Sequence, residues 1–139
     1  MITIKQKVHF HRGKAGRRQL ATEPSATETV PLGRVPRISR LMALAIRFDR
    51  LIRDGKVLDQ SALARLAHVT QPRMTQIMNL LHLAPDIQEE LLFLPPITVG
   101  RAPIHEKILR PIVAELDWAR QRRTWAHLRA CAVRERANA

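Results

Sequence analysis

A run of polar side chains between residues 71 and 76 has the chemistry and spacing needed to read the edges of DNA bases. Gln71 and Gln76 carry amides, which pair bidentately with adenine. Arg73 carries a planar guanidinium that pairs bidentately with guanine, and Thr75 can contact a thymine methyl group or a phosphate. A helix face that is only solvated, which is the alternative interpretation, usually carries Glu and Lys, yet residues 71–81 contain no acidic residue. We therefore predict base contacts from Gln71, Arg73, Thr75 and Gln76.

Two short predicted helices place this run on an outer surface. Asp59 suits the N-cap of the first helix and Thr70 that of the second, which would cover residues 71–81. Ala64 is small where the helices would touch, and Val69 is apolar in the turn between them. The pattern predicts a helix-turn-helix, whose second helix has a buried stripe made of Met74, Ile77, Met78 and Leu81. The turn has His68 where Gly is common, so we expect His68 to adopt the left-handed conformation.

Positive charge is concentrated at the two ends of the chain. Residues 1–40 carry nine Lys or Arg and two Glu, for a net charge of +7, and residues 101–139 carry nine basic and four acidic residues, for +5. Residues 41–100 carry six of each and are neutral, consistent with the total of +12. The excess indicates a polyanionic partner. We predict that phosphates are bound by the basic N-terminal segment and by two residues of the helix pair: Arg12, Lys14, Arg17, Arg18, Arg65 and Thr70.

The composition favours packed helices. Hydrophobic residues make up 45% of the chain but aromatic residues only 4%, so the core must consist mainly of Leu, Ile, Ala and Met. Apolar periodicity predicts an amphipathic helix over residues 38–52 that ends at Gly55, and a further helix that begins near Pro85. We expect an all-α fold of four to six helices in three parts: a basic, mostly disordered and flexible tail (1–36), a helix-turn-helix core (37–94) and a basic helical extension (95–139).

The extension contains a helical pattern that Pro111 interrupts. This proline either kinks one helix or lies in the first turn of a separate helix that runs to about residue 134. Trp118 and Trp125 are seven residues apart and would share a helix face, with Arg122 between them. Either this face packs on the core and leaves a solvated basic surface, or it forms a dimer contact or a second contact to the DNA backbone.

No pattern indicates catalysis or metal binding. The six His are scattered, the single Cys131 suits a small core position, and no group of ligands has the spacing of a zinc site. We therefore predict a protein that is not an enzyme and that needs no cofactor, metal or nucleotide. No apolar run approaches the roughly 20 residues of a membrane span, and the N-terminus lacks the apolar centre of a signal peptide. With one Cys and no disulfide framework, we expect a cytoplasmic protein without a membrane partner.

The residues after the predicted turn resemble a known family. They read "LLHL" at 80–83, "APD" at 84–86 and "IQEELL" at 87–92. Together with the preceding helices, this run looks like the central helix-turn-helix of the ParB partition-protein family, and the resemblance implies DNA recognition. Only 36 residues precede the first predicted helix, which is too few for the nucleotide-binding region of that family. The family's long linker and dimerisation domain also have no counterpart, so we do not expect nucleotide hydrolysis.

We expect a sequence-specific double-stranded DNA-binding protein, either a transcriptional regulator or an accessory factor of a plasmid or other mobile element. It would be bacterial or encoded by a phage or plasmid, and associated with the nucleoid. A homodimer is expected because one recognition helix supplies too little specificity. Two alternatives remain. An RNA-binding or ribosome-associated basic protein is favoured if the tails dominate binding, and an adaptor for a recombinase or replication enzyme is favoured if the face of Trp118 and Trp125 is exposed.

Overall fold

The structure, a computed structural model, describes residues 9–12, 18–21 and 33–138 in two compact units, Met1–Leu32 and Gly33–Ala139. In the first unit, strands β1 (His9–Arg12) and β2 (Arg18–Ala21) pair antiparallel, with Arg12 opposite Arg18. The expectation of a mostly disordered tail does not include this hairpin, because two short strands leave only a weak local pattern. Lys14 and Arg17 lie outside the described residues.

The described part of the second unit consists of six α-helices: α1 (Arg37–Arg53), α2 (Gln60–Leu66), α3 (Gln71–Met78), α4 (Pro85–Leu92), α5 (Glu106–Ala114) and α6 (Trp118–Ala137). A 3₁₀ segment, Asn79–His82, continues α3. The predicted all-α class with four to six helices is therefore confirmed. None of the helices in the described residues is long and apolar enough to cross a membrane.

Helix α1 packs through the apolar stripe that its sequence predicts. Met42, Ala45 and Phe48 lie on its buried side, whereas all its arginines are exposed. The helix ends as predicted, because Gly55 has a φ of +69° and backbone hydrogen bonds from Gly55 and the next residue close the last turn. A residue without a Cβ adopts this left-handed conformation at little cost.

The helix predicted over residues 71–81 changes its winding before it ends. Helix α3 stops at Met78, and the 3₁₀ segment follows it. Since a 3₁₀ helix has three residues per turn, residues three apart lie on one side, and Ile77, Leu80 and Leu83 are at most 4% exposed. Leu81, which was expected in the buried stripe, is only partly buried. Because of this tighter winding, Leu80 rather than Leu81 lies in the core.

Residues 33–36 belong to the second unit rather than to the tail. Arg34 and Ile97 form an antiparallel bridge, with N···O distances of 3.0 and 2.9 Å. The Arg34 guanidinium also donates to the carbonyl of Gly100 at 2.7 Å. A Cβ on Gly33 would lie 2.9 Å from the Cβ of Pro96, so this close approach requires glycine. The predicted boundary at residue 36 is therefore too late, because pairing with a distant segment leaves no local pattern.

The proline in the extension acts differently from both alternatives. Pro111 lies inside α5, and α6 begins at Trp118 after a short break at residues 115–117. The cap of α6 is Asp117, whose carboxylate accepts a hydrogen bond from the backbone N–H of Ala119 at 2.9 Å. A side-chain cap thus starts the last helix. Cys131 is exposed rather than buried, because α6 turns the neighbouring Ala132 towards the core.

The extension and the predicted core form one compact unit, so residue 95 is not a boundary between units. Leu109 and Ile112 of α5 and Trp125 of α6 are at most 3% exposed and lie in the same hydrophobic cluster as the residues of α1, α3 and α4. Helices α5 and α6 therefore contribute to the core that supports the helix pair.

A single buried amide connects α6 to the other helices. Gln121 is 1% exposed, and its Oε1 accepts a hydrogen bond from the backbone N–H of Ala84 at 2.8 Å. Its Nε2 donates to the carbonyls of His82 and Glu115 at 3.1 and 2.7 Å. Both amide hydrogens and the carbonyl oxygen are thus satisfied, and Gln121 joins the ends of the 3₁₀ segment and α5 to the start of α4.

Candidate nucleic-acid interface

The turn between α2 and α3 comprises residues 67–70 and has the predicted geometry. His68 has a φ of +53°. The backbone N–H groups of His68 and Val69 donate to the carbonyls of Arg65 at 3.2 Å and Ala64 at 3.0 Å, which is the hydrogen-bond pattern of a Schellman motif. Val69 packs against the hydrophobic cluster. The prediction that histidine carries the left-handed position is confirmed, and the motif determines where α3 starts.

The two predicted N-caps differ in what they bind. The Asp59 carboxylate accepts a hydrogen bond from the backbone N–H of Ala62 at 2.7 Å, as expected. Thr70 occupies the N-cap position of α3, but its side chain makes no capping hydrogen bond. Thr70 and Arg65 are both exposed. At the start of α3, Gln71 and Arg73 carry backbone N–H groups of the kind that bind phosphate oxygens, whereas Pro72 between them has none.

The predicted base-contacting residues divide into two exposed and two partly buried side chains. Gln71 and Thr75, which are one helical turn apart on α3, are exposed, whereas Met74, Ile77 and Met78 are buried. The Thr75 hydroxyl donates to the carbonyl of Gln71 at 3.1 Å. Arg73 and Gln76 are partly buried. All four side chains are within one α-helix, but only Gln71 and Thr75 are as exposed as the sequence suggests.

The partial burial of Arg73 comes from an ion pair that the sequence does not predict. Its Nη1 donates to Glu106 Oε2 at 2.5 Å and to Gln76 Oε1 at 3.1 Å. The exposed fractions of the Arg73 and Glu106 side chains are 27% and 18%. Arg110, one turn along α5, lies 3.5 Å from the other oxygen of Glu106. Glu106 is 33 residues from Arg73, so no local spacing signals the contact.

A cleft of about 410 Å³ runs along this side of α3. The polar residues of its lining come from α3, the 3₁₀ segment and α5: Gln76, Asn79, His82, Glu106 and Arg110. Helix α5 thus contacts α3 through Arg73 and lies across the cleft from Gln76. Gln71 and Thr75 remain exposed.

The two tryptophans differ in burial although they lie on nearly the same side of α6. Trp125 is 3% exposed, and its Nε1 donates to Glu90 Oε2 at 2.9 Å. Trp118 is 47% exposed, with the Arg122 guanidinium 5.9 Å from its ring centre. The expected core packing is therefore found for Trp125 but not for Trp118, which lies at the first residue of α6, and a dimer contact through Trp118 stays a prediction.

Arg122 and Arg129 connect α6 to α4. The Arg122 Nε donates to both oxygens of Asp86 at 3.1 and 3.0 Å, and Arg129 lies 2.7 Å from Glu90. The hydrogen bond from Arg122 holds the pKa of Asp86 below its ordinary value, and the same contact raises the pKa of Arg122. Both groups are solvent-accessible, so the contribution of the pair to stability is small.

The outer side of α6 carries basic residues that, unlike Arg122 and Arg129, form no ion pair within the described residues. Arg123 and Arg134 are exposed, and neither has an acidic partner within the described residues. Eleven residues are close to three helical turns, so the two arginines lie on one face, which points away from the buried Gln121 and Trp125. This face combines positive charge with exposed alanines.

Within the residues that the structure describes, no group of three or more His, Cys, Asp or Glu is arranged to hold a metal ion. No protein-family model matches the sequence, and comparisons with curated proteins and with solved structures found no significant match.

Proposed function

We propose that this chain is a sequence-specific double-stranded DNA-binding protein without enzymatic activity, and that α3 enters the major groove as its recognition helix. One observation carries the proposal. An acid-free helix begins after a tight Schellman turn, exposes Gln71 and Thr75, and carries on another side an arginine that is held by an ion pair. A helix of this kind suits a major groove about 12 Å wide.

Sequence preference would come from the first turns of α3. Gln71 pairs with adenine and Thr75 contacts a thymine methyl group, while Arg73 and Gln76 reach the bases from the side that α5 flanks. Arg73 and Gln76 are both partly buried, but the amide oxygen of Gln76 already accepts a hydrogen bond from Arg73, which makes Gln76 the weakest of the four proposed base contacts. Discrimination between sequences therefore depends most on Gln71, Arg73 and Thr75.

Affinity for the phosphate backbone would come from the basic parts of the chain. Thr70 and Arg65 lie beside the start of α3, where helix N–H groups also attract phosphate. The N-terminal contacts remain those predicted from the sequence: Arg12, Lys14, Arg17 and Arg18. The outer face of α6, with Arg123 and Arg134, is a further candidate for the second backbone contact. This division of roles explains why a chain of net charge +12 has a neutral central region.

The resemblance to the ParB partition-protein family supports DNA recognition by residues 60–92 and suggests a role as a transcriptional regulator or as an accessory factor of a plasmid or other mobile element. We propose a homodimer in the cytoplasm, because a single recognition helix contacts too few base pairs for useful specificity. Trp125 cannot supply the dimer contact, since it is buried in the core of its own chain.

Two alternatives make different predictions. An RNA-binding or ribosome-associated protein would bind mainly through its basic ends and would not discriminate between DNA duplexes. An adaptor for a recombinase or replication enzyme was favoured by an exposed tryptophan face, but only Trp118 is exposed. The open start of α3 favours DNA recognition over this adaptor role.

Selection from random duplex DNA tests the proposal. The wild-type chain should enrich one sequence at about 150 mM salt, a concentration at which purely electrostatic binding is much weakened. Removal of residues 1–20 should weaken binding to all duplexes alike and reduce the slope of log K against log salt concentration, because that slope counts phosphate contacts. Failure to enrich any sequence would refute the proposed function. Loss of sequence preference on removal of the tail alone would refute the division of roles.

A further inference from the structure

The ion pair between Arg73 and Glu106 joins the proposed recognition helix to the extension. The two side chains are 27% and 18% exposed, so water screens their attraction less than at an open surface. The Gln76 side chain accepts a second hydrogen bond from the same Nη1 atom at 3.1 Å. Two contacts on one nitrogen restrict the rotation of the guanidinium.

These contacts use only one nitrogen of the guanidinium. Arginine has five N–H donors in a rigid plane, and both bonds to Glu106 and Gln76 involve Nη1. Its Nε and Nη2 make no hydrogen bond to any residue in the described ranges. Two adjacent N–H groups are what a bidentate contact to guanine O6 and N7 requires. The ion pair is therefore compatible with base recognition and need not be broken for it.

The backbone of Glu106 is held in place by the helix to which it belongs. It is the first residue of α5, whose Leu109 and Ile112 are at most 1% exposed, so the helix backbone that carries Glu106 is anchored in the core. Arg110 lies 3.5 Å from Glu106 Oε1, the oxygen that does not contact Arg73. Glu106 Oε1 is buried and has no hydrogen-bond partner in the described residues, so the carboxylate is positioned by Arg73 through Oε2 and by the anchored helix.

We propose that Glu106 is a positioning residue for base recognition, which holds Nη1 of Arg73 so that the Nε and Nη2 edge is presented to a guanine. This inference rests on the proposed function of α3. A free arginine loses much rotamer freedom when it binds, whereas an arginine that is already held loses less. Glu106 acts through Arg73 and makes no contact with DNA itself, so it sets specificity from outside the helix pair.

The test compares variants on the duplex that the wild-type chain selects and on duplexes with single base-pair changes. Arg73→Ala should reduce the preference for guanine at one base pair by about 5- to 150-fold, which is the range for one bidentate contact. Glu106→Ala should reduce the preference at that same base pair by about 3- to 10-fold, because Arg73 keeps its donors but loses its support. In the Arg73→Ala background, Glu106→Ala should have no further effect on preference.

Glu115→Ala is the matched control, since it removes the same charge from the end of α5 without touching Arg73. It should leave every base preference unchanged. If Glu106→Ala instead strengthened binding to all duplexes equally, Glu106 would be only a negative charge near DNA, and the inference would be wrong. An equal loss of preference in the presence and absence of Arg73 would overturn it as well.

Folding is checked by circular dichroism and thermal denaturation of each variant. If Glu106→Ala does not fold, the inference is tested with Glu106→Gln, which keeps the shape of the side chain and removes its charge. Glu106→Gln should reduce the preference for guanine at the same base pair by less than Glu106→Ala. If the wild-type chain selects no sequence, the proposed function fails and this inference fails with it. If the wild-type and Glu106 variants select the same sequence with equal preference, only this inference fails.

Discussion

Replacing Gln121 by methionine should destabilise the helical unit strongly, although methionine is unbranched and of similar length. The amide of Gln121 satisfies one backbone N–H and two carbonyls. Methionine keeps the volume but offers no comparable donor or acceptor. The substitution therefore separates the loss of hydrogen bonds from the loss of packing.

The size of the effect follows from what each partner loses. Ala84 is fully buried, so its N–H would have no access to water, and an unsatisfied buried group costs about 1–3 kcal/mol. The carbonyls of His82 and Glu115 belong to residues that are exposed or partly exposed, and each should cost roughly 0.5 kcal/mol because water can replace the amide. The free energy of unfolding should fall by about 2–4 kcal/mol. That is a large share of the roughly 5–15 kcal/mol typical of a domain.

Urea denaturation followed by circular dichroism and tryptophan fluorescence measures this change, and Trp125 reports directly on the packing of α6. The midpoint of thermal unfolding should fall by roughly 8–32 °C, at about 4–8 °C per kcal/mol. Gln60→Met is the matched control, because Gln60 is exposed at the start of α2, and it should change stability by less than about 0.5 kcal/mol. A loss of less than about 1 kcal/mol in Gln121→Met would show that these three hydrogen bonds do not hold α6 in place.

Three further predictions concern the helix ends and one ion pair. His68→Gly should raise the free energy of unfolding by about 1 kcal/mol because it relieves the left-handed strain at φ +53°. Gly55→Ala should lower the free energy of unfolding by about the same amount. Thermal denaturation measures both changes, and no gain in His68→Gly would contradict the reasoning. Asp59→Ala should lower the free energy of unfolding by about 1 kcal/mol through loss of the N-cap hydrogen bond. Urea denaturation measures this change, and an unchanged midpoint would mean that the cap contributes nothing. The pKa of Asp86 is lowered in the folded protein from its ordinary value of 3.8, so the stabilisation from its pairing with Arg122 should be complete above that pH and lost as the pH falls through the lowered pKa. The stability difference between the wild-type chain and Asp86→Asn should accordingly shrink in acid, and a difference that does not vary with pH would refute this assignment.

The sequence predicted most local features because each depends on neighbouring residues. Asp59 and Gly55 are recognisable as helix boundaries from their own chemistry, and the apolar stripe of α1 follows from a period of 3.6 residues. Even the unusual turn conformation of His68 was predictable, since the spacing between the two helices requires a left-handed residue at that position. The selection of Gln71 and Thr75 as exposed residues rests on the same periodicity.

Features that join distant segments were not predictable. Neither the bridge between Arg34 and Ile97 nor the pairing of Arg73 with Glu106 leaves a local pattern. The burial of Gln121 could not be predicted either, because a glutamine among arginines on a basic helix is usually exposed. Only the tertiary structure shows that its three partners converge there.

The sequence by itself determined the helical class, the end of α1 at Gly55, the start of α2 at Asp59 and the uneven distribution of charge, since these follow from residue type and periodicity along the chain. The tertiary structure decided which of the polar residues on α3 are exposed, which are held by the extension, and which tryptophan enters the core. The physical reason is that burial and ion pairing depend on which surfaces meet, and residues from 33 to 39 positions away supply the decisive contacts around α3 and α6.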